Sequence, residues 1–299
     1  MTALASTLEP VPLLELKDLS RFFSRKVGFF GHSQQICAVN QVNLRLERGE
    51  TLGLVGESGS GKSTLARMAV RLLKPSCGDV LLEGKSIFSP LSTDKHFLKS
   101  LPGKIQMVFQ DPYSSLNPRL SIGSSIGEAL SCKGTPKNVR REKIKQLLNQ
   151  VGLEEDCATR FPHEFSGGQR QRMSLARALA PDPDIIVCDE PVSSLDASVQ
   201  AQVLNLLKDN QDKLNLSYLF ISHDLAVVSH MSDKIAVMYA GSIVEAGTAT
   251  EVFSTPQHPY TKMLLSASCG EISAEQQQNT ALPPDNSPFN FISCPYQHR

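Results

Sequence analysis

Along this chain, short runs of apolar residues alternate with longer stretches in which apolar side chains recur every three or four positions. Thr51-Leu52-Gly53-Leu54-Val55 is nearly unbroken in its apolarity and reads as a buried strand. A glycine-rich turn follows it. Then comes a predicted helix over 62–73, with Leu65, Met68, Ala69, Leu72 and Leu73 on one face and Pro75 as its stop. Residues 105–110 read as a second short strand, and 185–188, 218–222 and 235–239 as further strands. Between them lie predicted helices at 138–151 (Val139, Ile144, Leu147, Leu148, Val151), 170–179 and 197–214 (Val199, Val203, Leu206, Leu207, Leu214). Strands alternating with helices predict an α/β fold.

Residues 114–175 are richer in Ser, Asn and Lys and read as a small helical subdomain inserted in that core. The basic run Lys137, Arg140, Arg141, Lys143 and Lys145 is the solvated face of its helix. Beyond about 250 the chain becomes a Pro-, Gln- and Asn-containing tail, with 271–288 expected to be weakly ordered.

Composition narrows the reading. With 299 residues, 40% of them hydrophobic, the chain can bury one or two domain cores, and disorder is excluded for its bulk. Thirty basic residues balance thirty acidic ones, so whole-chain charge gives no reason to expect a nucleic-acid partner. No apolar run approaches the ~18 residues of a membrane span, and no basic-then-apolar leader opens the chain. The seven cysteines include no CxxC pair, so a disulfide framework is not expected and a reducing compartment is.

The chemistry starts at Gly56-Glu57-Ser58-Gly59-Ser60-Gly61-Lys62-Ser63, which fits G-x-x-x-x-G-K-[ST] between a strand and a helix. Glycines let backbone N–H groups face phosphate oxygens, and the helix N-terminus adds a positive dipole end. Lys62 supplies charge to the β- and γ-phosphates, and the Ser63 hydroxyl can ligate Mg²⁺. Asp189 and Glu190 close the strand at 185–188, at the end where α/β sheets bind ligands. Asp189 suits Mg²⁺, directly or through water. Glu190 can accept a proton from an attacking water or orient it. Ser166-Gly167-Gly168-Gln169 opens a second helix. It offers either a second anion site or a plain N-cap, and capping alone does not account for two glycines followed by Gln.

Taken together, these motifs resemble those of the ATP-binding cassette (ABC) ATPases over about 13–250. Residues 56–63 look like Walker A, Gln110 the Q-loop glutamine, and 166–169 the signature motif with Phe165 before it. Asp189 and Glu190 look like Walker B and the catalytic glutamate, Ser194-Leu195-Asp196 the D-loop, and His223 the switch histidine. The resemblance implies a P-loop NTPase (RecA-like) core with an N-terminal antiparallel β-subdomain, in a cassette spanning 10–250. It implies ATP and Mg²⁺ as cofactors, with Ser63, Gln110 and Asp189 at the metal and nucleotide contacts extending to Thr64. Glu190, His223, Gln110 and Lys62 would carry catalysis. Ser166, Gly167, Gly168 and Gln169 would bind the nucleotide of an opposite subunit, and Asp196 would bridge the two. Phe23, with Phe22 as runner-up, would stack on adenine.

Gln110-Asp111-Pro112-Tyr113-Ser114-Ser115-Leu116-Asn117-Pro118-Arg119 and Pro256-Gln257-His258-Pro259-Tyr260-Thr261 resemble the peptide/nickel importers. That implies an extension over 251–299, a paralogous ATPase subunit or a second copy as dimer partner, and two transmembrane permease subunits. It also implies a substrate-binding protein, and a place on the cytoplasmic face of the inner membrane. Cys294 looks like a remnant of a Cys-rich stretch, with too few thiolates for an iron–sulfur cluster. A soluble ABC ATPase of DNA repair or translation is the second reading. A non-catalytic half-site is the third, and Lys62, Gln110, Glu190 and His223, all intact, argue against it.

Overall fold

A computed structural model describes residues 11–27, 32–88, 95–111 and 115–268. Expectations that fall on 1–10, on Pro112-Tyr113-Ser114 and on the tail from Cys269, Cys294 included, lie outside the described residues.

The chain runs β1 (Leu14–Val27), β2 (His32–Leu46), β3 (Thr51–Val55), α1 (Lys62–Ala69), β4 (Cys77–Leu82), β5 (Lys85–Ser86), α2 (Lys95–Lys104) and β6 (Ile105–Val108). Three helices follow, α3 (Ile122–Cys132), α4 (Lys137–Gln150) and α5 (Gly167–Leu179). Then come β7 (Ile185–Asp189), α6 (Ala197–Leu214), β8 (Ser217–Ile221), α7 (Leu225–Met231), β9 (Lys234–Tyr239), β10 (Ser242–Thr248), α8 (Ala249–Ser254) and α9 (Pro259–Ser268).

The strands build two sheets. One is antiparallel, in the order β2-β1-β4-β5, with Leu14 opposite Leu46 and Phe23 opposite Ile36. The other has the order β10-β9-β3-β8-β7-β6, parallel except for β10 at its edge. Its central strands are covered on both sides, which is why they read as apolar runs without alternation. The pleat sends neighbours to opposite cores. Ile185, Val187, Leu219, Ile221, Ala236 and Met238 face α1 and the antiparallel sheet. Ile186, Cys188, Tyr218, Phe220, Ile235 and Val237 face the helices α5 to α7. Helices α3 to α5 pack on this second core through Ile122, Ile126, Leu148 and Met173, forming the helical subdomain.

Several elements depart from the sequence reading. The first helix ends at Ala69 rather than Leu73. Arg71 adopts φ 64°, Leu72 N–H donates to Arg67 O at 2.8 Å, and Arg71 N–H donates to Met68 O at 3.0 Å. This is a Schellman closure, and it leaves Leu72 62% exposed. Val139 and Leu214 are likewise exposed, while Leu204 is buried in α6. The stretch just past 250 is folded. Glu251 N–H donates to Thr248 Oγ1, and Thr248 N–H donates to Glu251 Oε2, a capping box that starts α8.

Cys37, Cys132, Cys157 and Cys188 are free thiols. No helix among the described residues is long and apolar enough to cross a membrane.

Candidate functional site

At the carboxyl end of the parallel sheet lies a cleft of about 480 Å³. Its lining includes Ser58, Gly59, Gly61, Lys62, Ser63 and Thr64 from the loop and start of α1, and Gln110, Glu190 and His223 from the neighbouring strand ends. The 56–63 turn is shaped by what surrounds it. Gly61 holds φ 109°, and a Cβ there would sit 2.2 Å from Ala38 O; one on Gly56 would sit 2.1 Å from Met238 O. These two glycines are therefore required by close backbone approach. A Cβ on Gly59 would meet nothing within 4 Å.

Lys62 is 5% exposed, and its Nζ donates to the carbonyls of Gly56 and Glu57, both at 2.7 Å. Burial pushes its pKa down, while the carboxylates of Glu190 and Asp189 pull it back up. Ser63 Oγ donates to Asp189 Oδ1 at 3.0 Å. Burial pushes the Asp189 carboxyl above its ordinary range, against the Ser63 bond that lowers it. A buried carboxylate with a hydroxyl at its edge is a hard-oxygen pair that a divalent cation would satisfy.

Glu190 follows Asp189 and leaves the strand with φ 48°, a left-handed backbone uncommon for a residue with a side chain. Its amide is fixed by donation to Ile221 O at 2.9 Å. One carboxylate oxygen, Oε2, accepts from Gln110 Nε2 at 2.9 Å and lies 3.2 Å from His223 Nδ1. Three residues far apart in sequence thus meet at one oxygen on the cleft wall.

The remaining expected residues lie elsewhere on the chain. Ser166 caps α5: Gln169 N–H donates to Ser166 Oγ, and Ser166 N–H donates to Gln169 Oε1 at 3.0 Å. This capping box accounts for Gln169. Gly168 has a packing reason, because a Cβ there would lie 2.3 Å from Val199 Cγ1 of α6. Capping thus accounts for Gln169, which the sequence reading did not expect, and leaves Gly168 to its packing against Val199. Gly167 faces Leu195, with 3.6 Å of room. Asp196 stands exposed at the N-cap of α6 and makes no capping bond. Phe23 lies on β1, 38% exposed, with the Arg21 guanidinium 4.8 Å over its ring, and is not in the cleft lining. Sequence reasoning missed Ala38, a small residue of β2 that lines the cleft, and Tyr260, whose hydroxyl accepts from Glu57 N–H at 2.9 Å. The only sequence cue to either is the Pro-Tyr-Thr run at 259–261.

The chain matches the ABC transporter family over residues 39–193 and the "oligopeptide/dipeptide transporter, C-terminal region" family over 244–299. The chain belongs to the ABC transporter family. This ABC ATPase is 50% identical over 261 residues to the dipeptide transport ATP-binding protein of Haemophilus influenzae, covering 87% of this chain and 79% of that protein. It is 49% identical over 257 residues to the oligopeptide transport ATP-binding protein AppF of Bacillus subtilis, covering 85% and 78%. A dimeric ATP-binding cassette in a post-hydrolysis state, bound to ADP and Pi, aligns with a TM-score of 0.66 at 28% identity, over 79% of this chain and 98% of that chain. Membership makes this chain an ATP-binding ATPase. The second reading, a soluble ATPase of DNA repair or translation, is set aside, since these relatives are transporter subunits.

Proposed function

We propose that this ABC ATPase energises a membrane importer for peptides, with ATP held between two ATPase subunits at the cytoplasmic face of the membrane. The observation that carries the chemistry is the Glu190 carboxylate held between Gln110 and His223 on the wall of the cleft that Lys62 lines. Residues 56–63 and Thr64 cradle the phosphates. Ser63 and Asp189, with Gln110, hold Mg²⁺, which supplies charge neutralisation on the phosphates when bound. Glu190 accepts a proton from the attacking water, with Gln110 and His223 holding its carboxylate in line. Phe23 offers a ring face to the base, beside the Arg21 guanidinium, which donates to Lys74 O at 3.0 Å. The exposed Asp196 and the α5 N-terminus at 166–169 are presented to the nucleotide of a second subunit, a paralogue or another copy.

Peptide cargo rests on the relatives' names and on the C-terminal match; nickel or another metal chelate is the second cargo. Residues 10–250 form the cassette and 251–299 the importer-type extension. Two transmembrane permease subunits and a substrate-binding protein complete the proposed assembly.

The test is ATP hydrolysis after co-expression with the membrane and ATPase subunits encoded beside this chain, comparing wild type with Glu190→Gln. The binding protein is loaded with peptides and then with nickel chelates. Activity that requires the membrane subunits, rises with peptide and collapses in Glu190→Gln supports the proposal. Failure to assemble with them, or activity that responds to nucleic acid instead, overturns it.

A further inference from the structure

We propose that Tyr260 is a positioning residue for the phosphate loop, and that the segment 255–262 is a strap that sets the loop's shape through this one side chain. The inference rests on the reading of 56–63 as that loop.

Tyr260 lies more than 200 positions beyond the loop and is fully buried, its ring 4.4 Å from that of Tyr239. Its hydroxyl accepts from Glu57 N–H at 2.9 Å. The carbonyl of the same residue accepts from Lys62 Nζ at 2.7 Å and from Ser60 N–H at 3.2 Å. Glu57 is thus held at both of its backbone polar groups, by the strap on one side and by the cation on the other. If the amide bond is lost, the 57 backbone can turn, and the carbonyl that orients Lys62 turns with it. A phenylalanine would fill the same space against Tyr239, so packing does not call for the hydroxyl; the Glu57 amide does.

The strap is itself tied. The Glu245 carboxylate accepts from Gln257 N–H at 2.7 Å and from His258 N–H at 3.0 Å. His258 Nδ1 then accepts from Tyr260 N–H at 3.1 Å, and its carbonyl accepts from Lys262 N–H at 3.1 Å. Each bond orients the next, from the β10 edge to the loop. The family match that begins at residue 244 therefore covers a device acting on the nucleotide loop, not merely an appendage.

The experiment uses the full chain. It measures affinity for a fluorescent ATP analogue with Mg²⁺, and the steady-state KM and kcat of ATP hydrolysis. Tyr260→Phe is expected to raise Kd and KM about three- to tenfold, the range of one net hydrogen bond, with kcat changed less than about twofold. Glu245→Leu, which unties the strap but keeps the hydroxyl, should move Kd in the same direction. Tyr239→Phe keeps the ring contact and should leave affinity unchanged. Wild-type affinity in Tyr260→Phe, alongside loss of binding in Lys62→Ala, overturns the inference while sparing the loop reading. Equal losses in Tyr260→Phe and Tyr239→Phe show that the effect is not specific to the hydroxyl that holds the Glu57 amide, and also overturn it. Wild-type affinity in Lys62→Ala removes the loop reading, and the inference with it.

Discussion

Replacing Gly168 with alanine adds a single methyl carbon, and that carbon would sit 2.3 Å from Val199 Cγ1. Carbon atoms pack at about 3.5–4.0 Å, so the two helices must part by more than an ångström locally, or Val199 must leave its rotamer. Val199 is β-branched and lies in a helix, where it has essentially one χ1 well. Overpacking of this kind costs about 1–3 kcal/mol, and the better helix propensity of alanine returns about 0.5–1 kcal/mol. A net loss of up to about 2.5 kcal/mol follows, or several degrees in Tm. The assay is a double-mutant cycle by urea unfolding: Gly168→Ala, Val199→Ala and the pair. Trimming Val199 removes the atom in the way, so the pair should be more stable than the two single losses predict, with a coupling of about 1 kcal/mol. If Gly168→Ala is as stable as wild type, or Val199→Ala rescues nothing, the packing argument for this glycine is wrong and its role lies only in contacts to a second subunit.

Three further outcomes follow from the site. Glu190→Gln should lower ATP turnover by about 10²–10⁴-fold while nucleotide binding persists, as read by single-turnover hydrolysis beside analogue binding, because only the proton acceptor is removed. Asp196→Ala should leave the unfolding midpoint of the single chain within about 0.5 kcal/mol, since Asp196 makes no capping bond, yet weaken ATP-dependent dimerisation measured by light scattering. Burial alone would raise the Glu245 carboxyl, but the neighbouring Thr261 hydroxyl and the N–H groups of Gln257 and His258 outweigh it and hold its pKa below the usual glutamate value. A depressed folded pKa gives stability that is complete above the unfolded value, about 4.3, and is lost as pH falls through the folded one. The stability advantage of wild type over Glu245→Gln should therefore be constant at neutral pH and shrink only below about pH 4.3; an advantage independent of pH down to 3 would contradict the assignment.

The sequence carried the parts of this molecule whose signals are local. The strand–turn–helix at 51–69 and the α6 helix were legible because each needs only neighbours in the chain; Asn215, at φ 52°, ends α6 where the apolar period stops. The end of α1 was not legible, because Leu72 and Leu73 continue the apolar period beyond a closure decided by Arg71. The meeting of Gln110, Glu190 and His223 followed from resemblance and not from spacing, since their common oxygen is a product of sheet order. The packing of Gly168 was not legible because its partner, Val199, sits on another helix, 31 positions later. The strap was missed for the same cause. Glu245 and Tyr260 look ordinary until β10 and α9 fold against the loop.

The pleat of β7 acts as an address. Ile185, Val187 and Asp189 share a parity, and that parity faces α1, where Ser63 waits. Ile186 and Cys188 carry the other parity and enter the helical core beside Met173. Deleting one residue in this strand would drive the Asp189 carboxylate to the place of Cys188, among apolar side chains, whereas inserting one would bring Cys188 to the place opposite Ser63. A change of two residues would restore the parity but carry Asp189 about 7 Å along the strand, out of reach of Ser63, so neither odd nor even changes of length keep the delivery. The reading frame that matters here belongs to the sheet: chemistry and core are interleaved residue by residue, and neither can drift without displacing the other.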